Sequence, residues 1–183
     1  MITARARASF DLLLRQAMAE NLVPPGGRCE VEPILSLSEI HEKEFVILTI
    51  SSYLFRAMLL FYFDFNEASR THFARLLKGA LPAMDKKAFY DAVAEFGNLC
   101  CGSLNRELGR SFPHVGMSTP GLLERECIAH LGALDASYVC HYRMETEGPT
   151  FFHASLCVCD YGDLDFQAER HDVEASVGEL ELF

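Results

Sequence analysis

Five residues between positions 91 and 105 combine hydrogen-bonding chemistry with helical spacing: Asp91, Glu95, Asn98, Gly102 and Asn105. At 100° per residue they fall within about 40° of one line. Phe89, Val93, Phe96, Cys100 and Leu104 gather on the opposite side and form an apolar stripe. The polar stripe holds acids, amides and a glycine, with Ala94 and Cys101 flanking it and no Lys or Arg between 91 and 105. A solvated helix face usually carries long charged side chains of both signs. This one is low and flat, and Gly102 costs about 1 kcal/mol of helix propensity relative to Ala. Such a face suits close approach by another molecule.

A carboxylate and a carboxamide one turn apart can divide two jobs. Glu95 can engage a cation on a partner, while Asn98 offers a donor and an acceptor to orient a water. An amide is neither a nucleophile nor a strong base, so the pair suits positioning rather than covalent catalysis.

The motif Asp91-x3-Glu95-x2-Asn98, with Pro120 downstream, resembles the signature of the CheC/CheX/FliY chemotaxis phosphatases. The run Glu95-Phe-Gly-Asn98-Leu-Cys-Cys-Gly102 is similar to the family's active helix, and Phe112-Pro113 through Ser118-Thr119-Pro120 to the segment after it. Pro120 follows Asn98 one residue sooner than in most of the family. The specific identities lie in 85–121, and the likeness in order of elements extends over roughly 3–160. Two-site members carry a first motif in their N-terminal helix. The comparable positions here are Asp11, Arg15 and Met18, so a single site of the CheX type is expected.

The resemblance implies a phosphatase acting on the aspartyl phosphate of a CheY-like response regulator. It gives Glu95 and Asn98 the catalytic roles, with Asp91, Gly102, Asn105 and Pro120 shaping the contact with the partner. It implies no cofactor of the chain's own, since the regulator supplies Mg²⁺, and it implies a homodimer. A different class of function uses the same face: a module that binds a regulator or signalling protein without hydrolysis.

The elements that would position this face read as follows. A helix is expected over 3–22, ending before Pro24-Pro25-Gly26-Gly27. Strands follow at 28–37, with Val31, Leu35 and Leu37 on one side, then at 44–51 and 54–63. Asn66 is placed to cap a short helix with Phe73, Leu76 and Leu77 inward, closed by Gly79 and Pro82. Asp85 caps the long helix 86–108, which Gly109 ends. Residues 110–135 carry turn signals and no clear period. Strands at 136–146 and 150–160 are joined across Gly148-Pro149.

The order predicts an α/β fold of α+β layering: a largely antiparallel sheet with long helices on one face, in two similar halves. Strands 45–50 and 56–63 are apolar on both sides, so that sheet needs a second covering or an intermolecular neighbour. Residues 1–160 read as one CheX-like domain and 161–183 as an acidic extension.

Composition bounds the rest. The 183 residues carry a formal charge of −10 and are 50% hydrophobic. From Asp160 onward eight acids face one Arg, so most of the excess acid lies outside the motif. That balance argues against a nucleic-acid partner, which requires a cationic surface. No apolar run approaches bilayer length, and no signal-peptide pattern follows Met1. Seven Cys without scaffold spacing predict reduced thiols and a cytoplasmic protein. Cys157, Cys159, His153, Cys140 and His141 lack zinc-ligand spacing, and no metal is expected. Cys100 belongs to the buried stripe, whereas Cys101 is expected near the surface, where oxidants can reach it.

Overall fold

Two strands commit the chain to a sheet. β2 (Glu44–Ser51) and β3 (Phe55–Phe63) are built from β-branched, aromatic and aliphatic residues and pair antiparallel from Glu44↔Phe63 to Ser51↔Arg56. The computed structural model describes residues 1–24, 27–77, 84–146 and 150–169. Around this pair it sets β1 (Cys29–Ile34), β4 (Gly116–Met117), β5 (Gly121–Glu124), β6 (Tyr138–Thr146) and β7 (Phe151–Asp160). The sheet order is β1-β6-β7-β3-β2-β4, β5 also pairs with β2, and all these pairings are antiparallel. The two expected halves are visible in that order. Each half lends its leading strands to the other: β1 pairs with β6, and β4 and β5 with β2.

β3 and β7, at the centre, are buried on nearly every residue and so require cover on both faces. One face takes α1 (Ala4–Asn21), α2 (Glu67–Leu76) and α3 (Lys86–Leu108), packed over Leu59, Phe61, Phe63, Leu156 and Val158. Aromatic rings dominate this core: Phe61 meets Phe96 at 5.1 Å between centroids, and Phe63 meets Phe89 at 5.5 Å, both edge-to-face. The other face is covered by a 3-10 turn, Leu37–Glu39, and a 3-10 segment, Arg125–Leu134. Ile128, Leu131 and Leu134 close over Phe45, Met58, Leu60, Tyr62, Cys157 and Cys159. The double-sided apolarity of these strands is therefore met inside the chain, which removes the sequence-based reason for a second subunit there.

Differences from expectation have local causes. Leu35 and Leu77 were expected inward, but Leu35 lies beyond the end of β1 and Leu77 caps α2, and both are exposed. The expected boundary at 160/161 does not separate a packed domain from a free extension. Past β7 the chain returns to α1, where Leu164 forms a parallel bridge with Ile2. Phe166 packs edge-to-face on Phe10 at 5.1 Å and on Phe112 at 5.0 Å. The Ser9 hydroxyl donates to the Phe166 carbonyl at 3.1 Å and accepts the Ala168 N–H at 2.9 Å. Packed chain thus continues through Ala168. The turn residues Pro25, Gly26, Gly79, Pro82 and Gly148-Pro149, and the acidic residues after 170, lie outside the described residues. No helix among the described residues is long and apolar enough to cross a membrane.

Candidate functional site

α3 has the limits its caps dictate. The Asp85 carboxylate accepts the Ala88 N–H at 2.8 Å, and at the far end the Gly109 N–H returns to the Asn105 carbonyl at 2.9 Å. Phe89, Val93, Phe96, Cys100 and Leu104 are buried as the period predicts, and Ala92, Gly97, Cys101 and Leu108 widen that arc. Gly97 sets how closely the helix approaches the sheet. A Cβ at this position would stand 2.8 Å from Leu48 Cδ1 and 3.3 Å from Val46 Cγ1, so any larger residue requires Leu48 to give way or α3 to lift from β2. This residue escaped sequence reasoning, because a glycine inside a helix reads the same whether it serves a tight internal contact or an external one.

The opposite face of α3 carries the expected residues outward. Glu95 is exposed and Asn98 half-buried, one turn apart. Among the described residues neither side chain forms a hydrogen bond or an ion pair, so both keep their bonding capacity for another molecule. Asp91 is exposed and pairs with Lys87 at 3.2 Å across one turn. An exposed pair in this Lys-first orientation is worth a few tenths of a kcal/mol at most, so Asp91 is easily diverted. Gly102 is the counterpart of Gly97: a Cβ there meets nothing within 4 Å. Among the described residues its missing side chain serves no packing. Asn105 completes the stripe half-buried, with Oδ1 shielded from solvent and no donor against it.

Pro120 lies at the sheet border rather than on the helix. β4 and β5 run along the outer side of β2, the strand beneath α3, and Pro120 falls in the break between them. Ser118 holds the break on both sides: its N–H donates to the Thr49 carbonyl at 2.9 Å, and its hydroxyl accepts the Thr49 N–H at 3.0 Å. An edge position without a ladder bond suits a residue that has no N–H. The structure therefore brings Asp91, Glu95, Asn98, Gly102 and Asn105 onto one helix face and sets Pro120 on the neighbouring strand edge.

Other candidates resolve differently. Cys101 is fully buried, and burial pushes its thiol up to about 12, so it is not the surface thiol that was expected. Burial also raises the Cys100 thiol, and its Sγ–H donates to the Ala17 carbonyl at 3.5 Å. In α1, Met18 is buried and Arg15 pairs with Asp11 at 3.5 Å, so this helix presents no second acid–amide pair at those positions. His153 meets Glu42 rather than the cysteines of its own strand, and Cys159 Sγ–H donates to the Leu134 carbonyl at 3.2 Å. No group of three or more His, Cys, Asp or Glu among the described residues could hold a metal ion.

The polar cluster that sequence reasoning missed lies under the 3-10 cover, on the other face of the sheet. His153 Nδ1 stands 2.6 Å from Glu42 Oε1, both side chains nearly buried. The other carboxylate oxygen of Glu42 accepts the His41 N–H at 3.0 Å, and Arg125 donates to the Glu42 carbonyl at 3.2 Å. Burial pushes the Glu42 carboxyl upward, but the His153 contact and backbone donors outweigh it, and the net shift is downward. Beside it, Ser155 Oγ bridges Tyr62 at 2.9 Å and His141 at 2.7 Å. These bonds fix the loop before β2 and the start of the 3-10 segment to the sheet. No sequence signal distinguishes Glu42 from the solvated acids around it.

No family model matches the chain, and no curated protein matches it in sequence. Solved structures do. CheX from Borrelia burgdorferi, determined in complex with CheY, BeF3 and Mg²⁺, superposes with a TM-score of 0.62 at 14% identity, covering 84% of this chain and 97% of that one. A CheC-like superfamily protein from Shewanella sp. PV-4 gives 0.57 at 12% identity over 86% and 99% of the two chains. FliM from H. pylori, in a complex with SpeE, gives 0.55 at 10% identity over 86% and 89%. The α+β architecture, built here from caps, strand registers and a glycine contact, is the fold of the CheX and CheC-like proteins.

Proposed function

We propose that this chain accelerates hydrolysis of the aspartyl phosphate of a CheY-like response regulator, in chemotaxis or another two-component pathway. The observation that carries the reading is the state of Glu95 and Asn98. They stand one turn apart on the outer face of α3 and, among the described residues, spend no polar atom on an internal bond. Asn98 enters the regulator's site and orients a water in line with phosphorus. The water oxygen bonds to phosphorus as the P–O bond to the aspartyl carboxylate breaks, leaving inorganic phosphate and a free Asp. Glu95 engages a Lys of the regulator, while Asp91, Gly102, Asn105 and Pro120 frame the contact. Phosphoryl transfer asks a protein mainly for positioning and charge management, which an acid and an amide supply. The regulator brings Mg²⁺, and this chain contributes no cofactor. The reading places the protein in the cytoplasm as a homodimer.

The test is decay of phosphorylated CheY-like receiver domains from the same genome. The wild-type chain is expected to accelerate decay of one of them, and Asn98→Ala to lose at least about 100-fold of that acceleration, as removal of a positioning group does. Equal acceleration by Asn98→Ala would sink the mechanism. The occurrence of this fold in FliM, solved with a protein partner, favours a second reading, a binding module without hydrolysis. That reading predicts binding of a receiver domain with no change in its decay.

A further inference from the structure

We infer that Asn105 is a docking residue of the α3 face, whose amide swings over Gly102 to accept an N–H donor from the bound regulator. This rests on the proposed function and extends it to a position two turns beyond Asn98. In the free protein the Asn105 Oδ1 is shielded from solvent, and no donor reaches it. Among the described residues no donor meets that carbonyl, so its acceptor capacity is uncommitted before a partner arrives. The backbone carbonyl of Asn105 is separately engaged by the Gly109 N–H, which holds the main chain while the side chain moves. Turning outward breaks no side-chain hydrogen bond.

The direction of movement follows from helix geometry. Side chains lean toward the helix N-terminus, so the amide of Asn105 overhangs the turn that contains Gly102. That turn is open, since a Cβ on Gly102 would meet no atom within 4 Å. The neighbouring Ser103 Oγ already accepts from Arg106 at 3.5 Å, whereas no donor among the described residues meets Asn105 Oδ1. A glycine that costs helix propensity and an amide without a partner, one turn apart, make a notch shaped for a protruding N–H. The donor is a backbone amide or a cationic side chain of the regulator.

The experiment measures affinity for CheY-like receiver domains from the same genome, activated with beryllofluoride and Mg²⁺. Asn105→Leu is expected to weaken binding about tenfold, and in the decay assay to raise KM rather than lower kcat. Asn105→Asp keeps the acceptor. It binds like wild type if the donor is a backbone amide and more tightly if it is Lys or Arg. Gly102→Leu fills the notch, weakens binding to a similar extent and raises Tm, which separates lost docking from lost folding. Wild-type affinity in both Asn105→Leu and Gly102→Leu overturns the inference while leaving the proposed function intact. A wild-type chain that neither binds nor accelerates any receiver domain overturns both.

Discussion

Gly97 and Gly102 sit five positions apart in one helix and have opposite surroundings, so the same substitution has opposite expected effects. At Gly97, Ala drives a methyl into Leu48 and Val46. Overpacking costs about 1–3 kcal/mol and the gain in helix propensity returns at most about 1, so Gly97→Ala lowers Tm. Gly102→Ala meets empty space and is expected to stabilise by about 0.5–1 kcal/mol. Thermal melts of the two variants check the pair. Glu42 supplies a pH dependence. Its carboxyl titrates below the usual value of 4.5, so the stability it contributes is fully present above that pH and fades as pH falls through the lowered value. Glu42→Gln is therefore expected to cost about 2 kcal/mol at pH 7, and the gap to wild type to narrow below pH 4.5. Urea titrations at pH 7 and pH 3.5 measure both ends.

At the scale of elements, legibility followed pattern length. α3 could be read to the residue because a side-chain cap, a 23-residue period and a terminal glycine all agree. β2 was legible because Val, Ile and Thr dominate its eight residues, and β3 because Leu59, Phe61 and Phe63 fall in phase within one apolar run. β4 and β5 are two and four residues long, with Met117, Leu122 and Leu123 all exposed, so no burial alternation exists to detect. The 3-10 segment buries only Ile128 fully and has no side-chain cap, which hid the second cover of the sheet and left an intermolecular neighbour as the alternative to it. Cys101 was misplaced because it stands at the edge of the wheel's arc, where the contact with β2 decides burial. The segment after β7 was read by its charge, which obscured Leu164 and Phe166. Phe166→Ala is expected to cost about 3 kcal/mol, since the ring fills the gap between Phe10 and Phe112. A chain ending after Asp160 is expected to melt below one ending after Glu169, since only the longer one keeps Leu164 and Phe166.

For the whole molecule, the site and the covers lie on separate surfaces: α3 exposes Glu95 and Asn98 on the outer side of the helical layer, and the 3-10 segment closes the far side of the sheet. A homodimer therefore has to use other surface than the strands that first suggested one. Light scattering on the full chain is expected to give twice the 20.5 kDa protomer mass, and a strict monomer removes the dimer from the proposal. The clasp between α1 and the segment after β7 also has a temporal side. Ile2 and Phe10 find Leu164 and Phe166 only across more than 150 intervening residues. During synthesis α1 leaves the ribosome with an aromatic flank that its own neighbourhood cannot cover, and it waits until the segment after β7 is translated. The nascent protein is thus open to chaperone capture or premature association until Leu164 and Phe166 emerge.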